Sequence, residues 1–261
     1  MDSVRIGVLQ LDCSTSESVA HRVERVLAEV DREAANADLL LLPELWNSAA
    51  FDLSAAREHA QPLDGPLPTA LATLAKKHGT WIHGGSFCEI DSDGNLHNTS
   101  VVFNPAGELA ASYRKVHVFT YAREQDTMTP GSELVMVETP LGLTGLATCY
   151  DLRFPEMFRA MTQRGAEAFL IPSGWPTARI TQWDALLPAR AIEDQAWVVA
   201  CNQAGVQNGM ELGGHSAVID PMGRVLSQGD SHAVVLRVDV DLNVGRTWRA
   251  EFPALNDIVE F

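Results

Sequence analysis

Three side chains in this sequence have chemistries that complement one another. Cys149 lies in the stretch Gly145 to Glu156, GLATCYDLRFPE, where an apolar strand-like run gives way to Tyr150, Asp151 and Arg153 and then to Pro155 and an amphipathic segment. A strand-to-helix turn of this kind places the sulfur near free N–H groups and the positive end of a helix dipole, which favours thiolate over thiol. Glu44 follows the apolar run Asp38 to Leu42, and Lys115 closes a strand ending Tyr113-Arg114-Lys115. A nucleophile, a proton acceptor and a fixed cation are the minimum set for acyl transfer. The three are far apart in sequence, yet strand ends of one sheet converge, and α/β folds bind ligands at the carboxyl ends of their strands.

The elements that must position them follow from periodicity and turn chemistry. Val4 to Asp12 alternates as a strand, and about Glu17 to Ala34 reads as a helix with Val19, Val23, Val26, Leu27 and Val30 on one face. Asp38 to Leu42 is apolar after its first residue, as in a strand covered on both faces. A loop rich in Ala, Asp and Pro leads to a second helix, about Leu67 to His78. Trp81 to Ile90 and Leu96 to Asn104 form a hairpin across Asp93-Gly94, and Asn104-Pro-Ala-Gly107 turns the chain into the strand that ends at Lys115.

From Leu134 the order is strand, turn at Thr139 to Gly142, strand to Cys149, helix to about Arg164, strand Ala168 to Ile171, helix about Arg179 to Asp194, strand Trp197 to Asn202. Pro188 predicts a kink or early break in the second of these helices. Asp220-Pro-Met-Gly223 turns between Ala217 to Ile219 and Arg224 to Ser227, and the weakly periodic tail, Asp239 to Phe261, is expected to cover a core edge or a partner subunit. Mixed α/β layers in a single domain, residues 1–261, are the simplest arrangement.

Composition excludes several classes of partner. With 19 Lys+Arg against 34 Asp+Glu, a net charge of −15, the chain disfavours nucleic acid and anionic membranes. Four scattered cysteines without a CxxC pair suggest neither zinc nor disulfides, and Cys13, Cys88 and Cys201 read as small core residues. No run approaches the roughly 18 apolar residues of a membrane span, and the start lacks a secretory pattern, so a cytoplasmic protein is expected. His117 fits a supporting role, and His215 a packing or hydrogen-bonding one near the site.

The residues around the three chemical groups carry a family likeness. LLPEL (Leu41 to Leu45), YRKVHVF (Tyr113 to Phe119) and CYDLRFPE (Cys149 to Glu156) occur in the order found in the nitrilase superfamily of carbon–nitrogen hydrolases, which the chain resembles over nearly its whole length. Ile171-Pro-Ser-Gly-Trp175, Ala189-Arg-Ala-Ile-Glu193 and Gly213-Gly-His-Ser216 extend the likeness. It implies a four-layer αββα sandwich, usually a homodimer joined by helices near the nucleophile, and no metal or organic cofactor. It also implies Glu44 as general base, Lys115 and the Tyr150 N–H as oxyanion donors, and Glu124, before Pro130-Gly131, as a second glutamate that binds substrate and holds Lys115.

Tyr150-Asp151 resembles the amidase branch, ω-amidases included, where nitrile-cleaving members carry Trp-Glu. The expected reaction is therefore cysteine-dependent hydrolysis of a small amide through a thioester. Trp175 and Pro176 suggest an apolar wall, which favours a small neutral aliphatic amide. The alternatives are a dicarboxylic monoamide, for which Tyr121 and Arg123 are the candidates to supply a cation, an N-carbamoyl amide, and a non-catalytic binding protein of the same fold. Arg153 is expected to form a structural ion pair with Glu156 or a neighbouring strand.

Overall fold

Leu39, Leu40, Leu41 and Leu42 are all fully buried, and alternate residues face two different cores: Leu39 and Leu41 look one way, Leu40 and Leu42 the other. Only a strand with apolar layers on both sides accepts four leucines in succession. The structure, a computed structural model, describes residues 2–259. Its first part runs β1 (Ser3–Gln10), α1 (Val19–Ala34), β2 (Leu39–Leu41), α2 (Leu53–Glu58), α3 (Pro66–His78), β3 (Trp81–Ile90), β4 (Leu96–Phe103) and β5 (Leu109–Arg114). The second runs β6 (Met136–Thr139), β7 (Gly142–Leu146), α4 (Pro155–Gln163), β8 (Ala168–Pro172), α5 (Ile180–Asp194), β9 (Trp197–Cys201), β10 (Ala204–Gln207), β11 (Met210–Gly213), β12 (Ala217–Ile219), β13 (Val225–Gln228), β14 (Val234–Asp241) and α6 (Asn243–Glu251).

Two six-stranded sheets result, ordered β14-β1-β2-β3-β4-β5 and β13-β12-β9-β8-β7-β6, with β10 and β11 as a separate hairpin. The sheets pack face to face, β1 and β2 against β9 and β3 against β8. Val4, Ile6 and Val8 join Leu39 and Leu41 in the core shared with the second sheet, while α1 and α3 cover the opposite face of the first. The helices α4 and α5 cover the second, giving the expected αββα layering.

Local chemistry sets the element boundaries. Ser18 caps α1 by accepting the His21 N–H, so that helix starts after Ser18 rather than at Glu17. Within the loop predicted before α3, Asp52 accepts the Ala55 N–H and starts the short helix α2. The helix α5 runs unbroken through Pro188: Trp183, Leu187 and Ala191 are buried on its inner side, and that packing outweighs the lost hydrogen bond. The tail is more regular than its sequence suggests, since residues from Val234 form an edge strand antiparallel to β1 and α6 follows. Val240 and Leu242 enter the core, as expected of a covering segment, and the end of the predicted tail, residues 260 and 261, lies outside the described residues.

Candidate active site

Glu44 stands just beyond β2 in a tight turn. The Leu45 N–H donates to Ser86 Oγ at 3.0 Å, the Trp46 indole donates to the Gly84 carbonyl at 2.9 Å, and the Gln203 amide donates to the carbonyl of Glu44 itself. Gly85, at φ +67°, packs so close to this turn that a Cβ there would overlap the Pro43 carbonyl oxygen. Bare backbone at that bulge is what lets the Glu44 turn approach β3.

Lys115 follows β5 directly, and its backbone N–H donates to the Asn98 carbonyl at 2.9 Å. Its ammonium lies 2.8 Å from Glu44 Oε1 and 2.9 Å from Glu124 Oε2. Glu124 sits in a short 3-10 turn after β5 and also accepts the Phe119 N–H. The structure thus brings together Glu44, Lys115 and Glu124, all at most 5% exposed. Asn98 on β4 completes the group, its amide nitrogen 2.8 Å from Glu44 Oε1 and 2.9 Å from Glu124 Oε1.

The strand before Cys149 ends at Leu146, three residues before the predicted boundary, and Cys149 opens a 3-10 turn, Cys149–Arg153. Cys149 itself has φ +49°. Asp151 holds the turn: it accepts the Thr148 N–H at 2.8 Å, the Tyr113 hydroxyl at 2.7 Å and the His117 N–H at 3.0 Å. His117 also contacts Asp151 through Nδ1 and stacks on Phe154, so it supports the turn rather than the sulfur.

Cys149 and Glu44 line the same cavity, and the second Glu44 oxygen accepts the Gly174 N–H at 2.9 Å. Burial pushes the Cys149 thiol well above its ordinary range and the Glu44 charge adds to this, against the opposing pull of Lys115. Desolvation beside a carboxylate thus works against the thiolate that a helix dipole would favour. Lys115 is opposed by burial, but Glu124, Glu44 and Cys149 together hold it charged well above the usual lysine range. Burial works to raise Glu124, yet the Lys115 charge and the hydrogen bonds from Asn98 and Phe119 leave it below the usual carboxylate range.

Cys149 lies where two cavities meet. The inner one carries Glu44, Lys115 and Glu124, and the outer one is lined by Phe51, Phe119, Tyr150, Arg153, Trp175 and Arg179. Trp175 is fixed through its backbone to Asn202 and through its indole to the Arg179 carbonyl at 2.8 Å. Arg153 forms no ion pair with Glu156: its guanidinium lies over the Trp175 ring, 4.6 Å from the centroid, and donates to Gln182 at 2.6 Å. Arg179 lies against Phe119 and Tyr121, and one of its terminal nitrogens is buried without a hydrogen-bond partner. Tyr121 is 76% exposed, packed on Phe119 outside the pocket lining. Arg123 pairs with Asp126 on the surface, and His215 pairs with Asp184.

Sequence reasoning missed Asn98, Phe51, Phe119 and Arg179, and gave Arg153 a purely structural place. One signal was available for Asn98. It is a polar residue in the strand LHNTSVVF, every position of which is buried.

A sandwich of two facing sheets with a buried cysteine, lysine and glutamate pair gathered beyond the ends of their strands defines a hydrolase acting on carbon–nitrogen bonds. The carbon-nitrogen hydrolase family model matches residues 5–250, and the chain belongs to that family, within the nitrilase superfamily. It is 37% identical over 260 residues to a 2-oxoglutaramate amidase of Paenarthrobacter nicotinovorans, covering 97% of this chain and 88% of the relative. It is 35% identical over 253 residues to a 2-oxoglutaramate amidase of Bacillus subtilis, covering 97% and 96% respectively. The crystal structure of XC1258 from Xanthomonas campestris, described as a CN-hydrolase superfamily protein with an arsenic adduct in its active site, superposes with a TM-score of 0.90 at 29% identity. That match covers 100% of this chain and 99% of the other. Amide hydrolysis is the activity these relationships support. Among the described residues, no helix is long and apolar enough to cross a membrane.

Proposed function

We propose that the chain hydrolyses the terminal amide of a short dicarboxylic monoamide to the dicarboxylate and ammonia. The observation that carries this reading is the pair Arg153 and Arg179. Both line the pocket in front of Cys149, and neither has a carboxylate partner among the described residues. In a chain with fifteen more acidic than basic side chains, two uncompensated guanidinium groups beside a nucleophile are suited to an anionic end of the substrate. The wall expected to favour neutral aliphatic amides is present as Trp175, but Arg153 covers its ring face. The relatives named for 2-oxoglutaramate, a monoamide with a free carboxylate at its far end, support the same reading.

In the reaction, the Cys149 proton passes to Glu44 as the sulfur attacks the amide carbonyl. Lys115 and the Tyr150 N–H receive the oxyanion, and the tetrahedral adduct collapses to a thioester as the leaving nitrogen takes the proton from Glu44 and departs as ammonia. Water then attacks the thioester while Glu44 takes its proton, and the thiolate leaves and is reprotonated. Glu124 holds Lys115 and one wall of the inner cavity.

Ammonia release from glutaramate and from pentanamide, its neutral counterpart of equal chain length, tests the reading. A charge-assisted hydrogen bond is worth about 1.5–3 kcal/mol, so glutaramate is expected to lead by roughly 10- to 100-fold in kcat/KM. Equal values would return the assignment to neutral aliphatic amides. Ammonia from neither substrate, nor from other amides, would overturn hydrolysis itself.

A further inference from the structure

We infer that Asn98 is a positioning residue of the hydrolytic site, its single amide NH2 group shared between Glu44 and Glu124 so that both carboxylates are held apart around one lysine. The inference rests on the catalytic roles proposed for Glu44 and Glu124.

The stoichiometry of the buried group poses the problem. Two carboxylates face one ammonium, and all three side chains are nearly inaccessible to solvent. Carboxylates crowded in this way ordinarily share a proton, and a Glu44 that holds one cannot accept another from Cys149 or water. Lys115 reaches Glu44 Oε1 and Glu124 Oε2, and Asn98 donates to Oε1 of each, at 2.8 and 2.9 Å. A neutral amide placed there adds donors without adding charge. A second cation in its place would depress the basicity that Glu44 needs.

The other end of the same side chain strengthens the argument. Asn98 Oδ1 is buried with no hydrogen-bond partner. Turning the amide over would point that oxygen at two carboxylates, so electrostatics fixes the orientation at the expense of an unsatisfied acceptor. A residue present only to fill the core would be apolar or would use both ends. The backbone of Asn98 also contributes, since its carbonyl accepts the Lys115 N–H. The titratable groups facing the pair are Lys115 and Cys149. On the neighbouring positions His97 is engaged with Asp91 and Thr129, and Arg114 with Glu89.

The test uses alkylation of Cys149 by iodoacetamide, followed by mass spectrometry of the peptide that contains it, as a function of pH. This readout needs no amide turnover, so it separates failure of the inference from failure of the proposed reaction. In Asn98→Leu, which keeps the volume and removes the donor, the acidic limb of the rate profile is expected to move up by about one pH unit, making alkylation roughly tenfold slower below the limb. Asn98→Asp keeps the shape and replaces the NH2 group by oxygen, and is expected to move the limb in the same direction by at least as much. If the leucine variant fails to fold, as judged by thermal melting, the aspartate variant decides. A limb superimposable on the wild type in a folded variant, even with a lower plateau, would mean that Asn98 only packs, and the inference would be overturned.

Discussion

The Tyr113 hydroxyl donates to Asp151 Oδ2 at 2.7 Å, tying the last strand before Lys115 in one sheet to the turn that carries Cys149 in the other. Ser100 and Thr148 make a second tie between the same two layers at 3.0 Å. Cys149 and Lys115 belong to different sheets, so their separation is set by these cross-sheet polar contacts as much as by the apolar packing beneath.

Tyr113→Phe removes the first tie while keeping the ring. The lost bond to a buried carboxylate is expected to cost about 1.5–3 kcal/mol, read as a lower urea midpoint at unchanged slope. Because the Cys149 turn loosens relative to Lys115, kcat should fall more than KM rises. A variant with wild-type kcat would show that the turn is held by its own sheet alone.

Lys115→Met strips the oxyanion of its cation and leaves Glu44 and Glu124 facing each other. Activity should fall by on the order of a thousandfold, and stability at neutral pH by about 3–5 kcal/mol. The pH dependence has a defined direction. Glu124 is held below its ordinary 4.5, so its contribution is present above that value and is lost as pH falls through its lower folded value. Lys115 is held above its ordinary 10.5, so its contribution is complete below that value and is lost only as pH rises through its higher folded value. Urea titrations of the wild type and variant should therefore differ most at neutral pH and converge on acidification. A difference independent of pH would place the stabilisation in packing.

Arg153→Gln combined with Arg179→Gln addresses the substrate end. The double variant is expected to bring the ratio of kcat/KM for glutaramate over pentanamide towards one, with the change mainly in KM, as for lost ground-state binding. Adding salt should erode the wild-type preference and leave that of the double variant flat. An unaltered ratio would remove both arginines from substrate recognition.

How far the site could be read from the sequence depends on the kind of interaction. Glu44 and Cys149 could be picked out because each follows an apolar run, and Lys115 because it closes the strand after the Asn104 to Gly107 turn; a strand end is encoded locally by its own residues. Glu124 required the family likeness, since nothing in its loop marks it against Asp126. Arg153 was misassigned because sequence proximity suggested Glu156, whereas the side chain turns onto Trp175, a contact made by the fold. Arg179 was invisible for the same reason. In the fold, the leucines of β2 announced a strand covered on both sides, but β14, which starts before the tail, and α6 within it were not read. Leu236-Arg-Val-Asp-Val-Asp241 alternates apolar and polar residues as a half-covered strand does, so that signal was present and unread, whereas α6 buries only Gly245 and carries a weak one.

The inner cavity also bears on how the reaction ends. In the proposed reaction, hydrolysis of the thioester would create a new carboxylate beside Glu44 and Glu124, where Lys115 is the one cation paired with them among the described residues. A neutral amide enters that space without conflict, while the acid formed from it meets two fixed anions at once. A site working in the proposed way repels what it makes: product departure is favoured from the reacting end, and if the substrate is a dicarboxylic monoamide the accumulating dicarboxylate is expected to be a weak inhibitor, which product-inhibition kinetics would read.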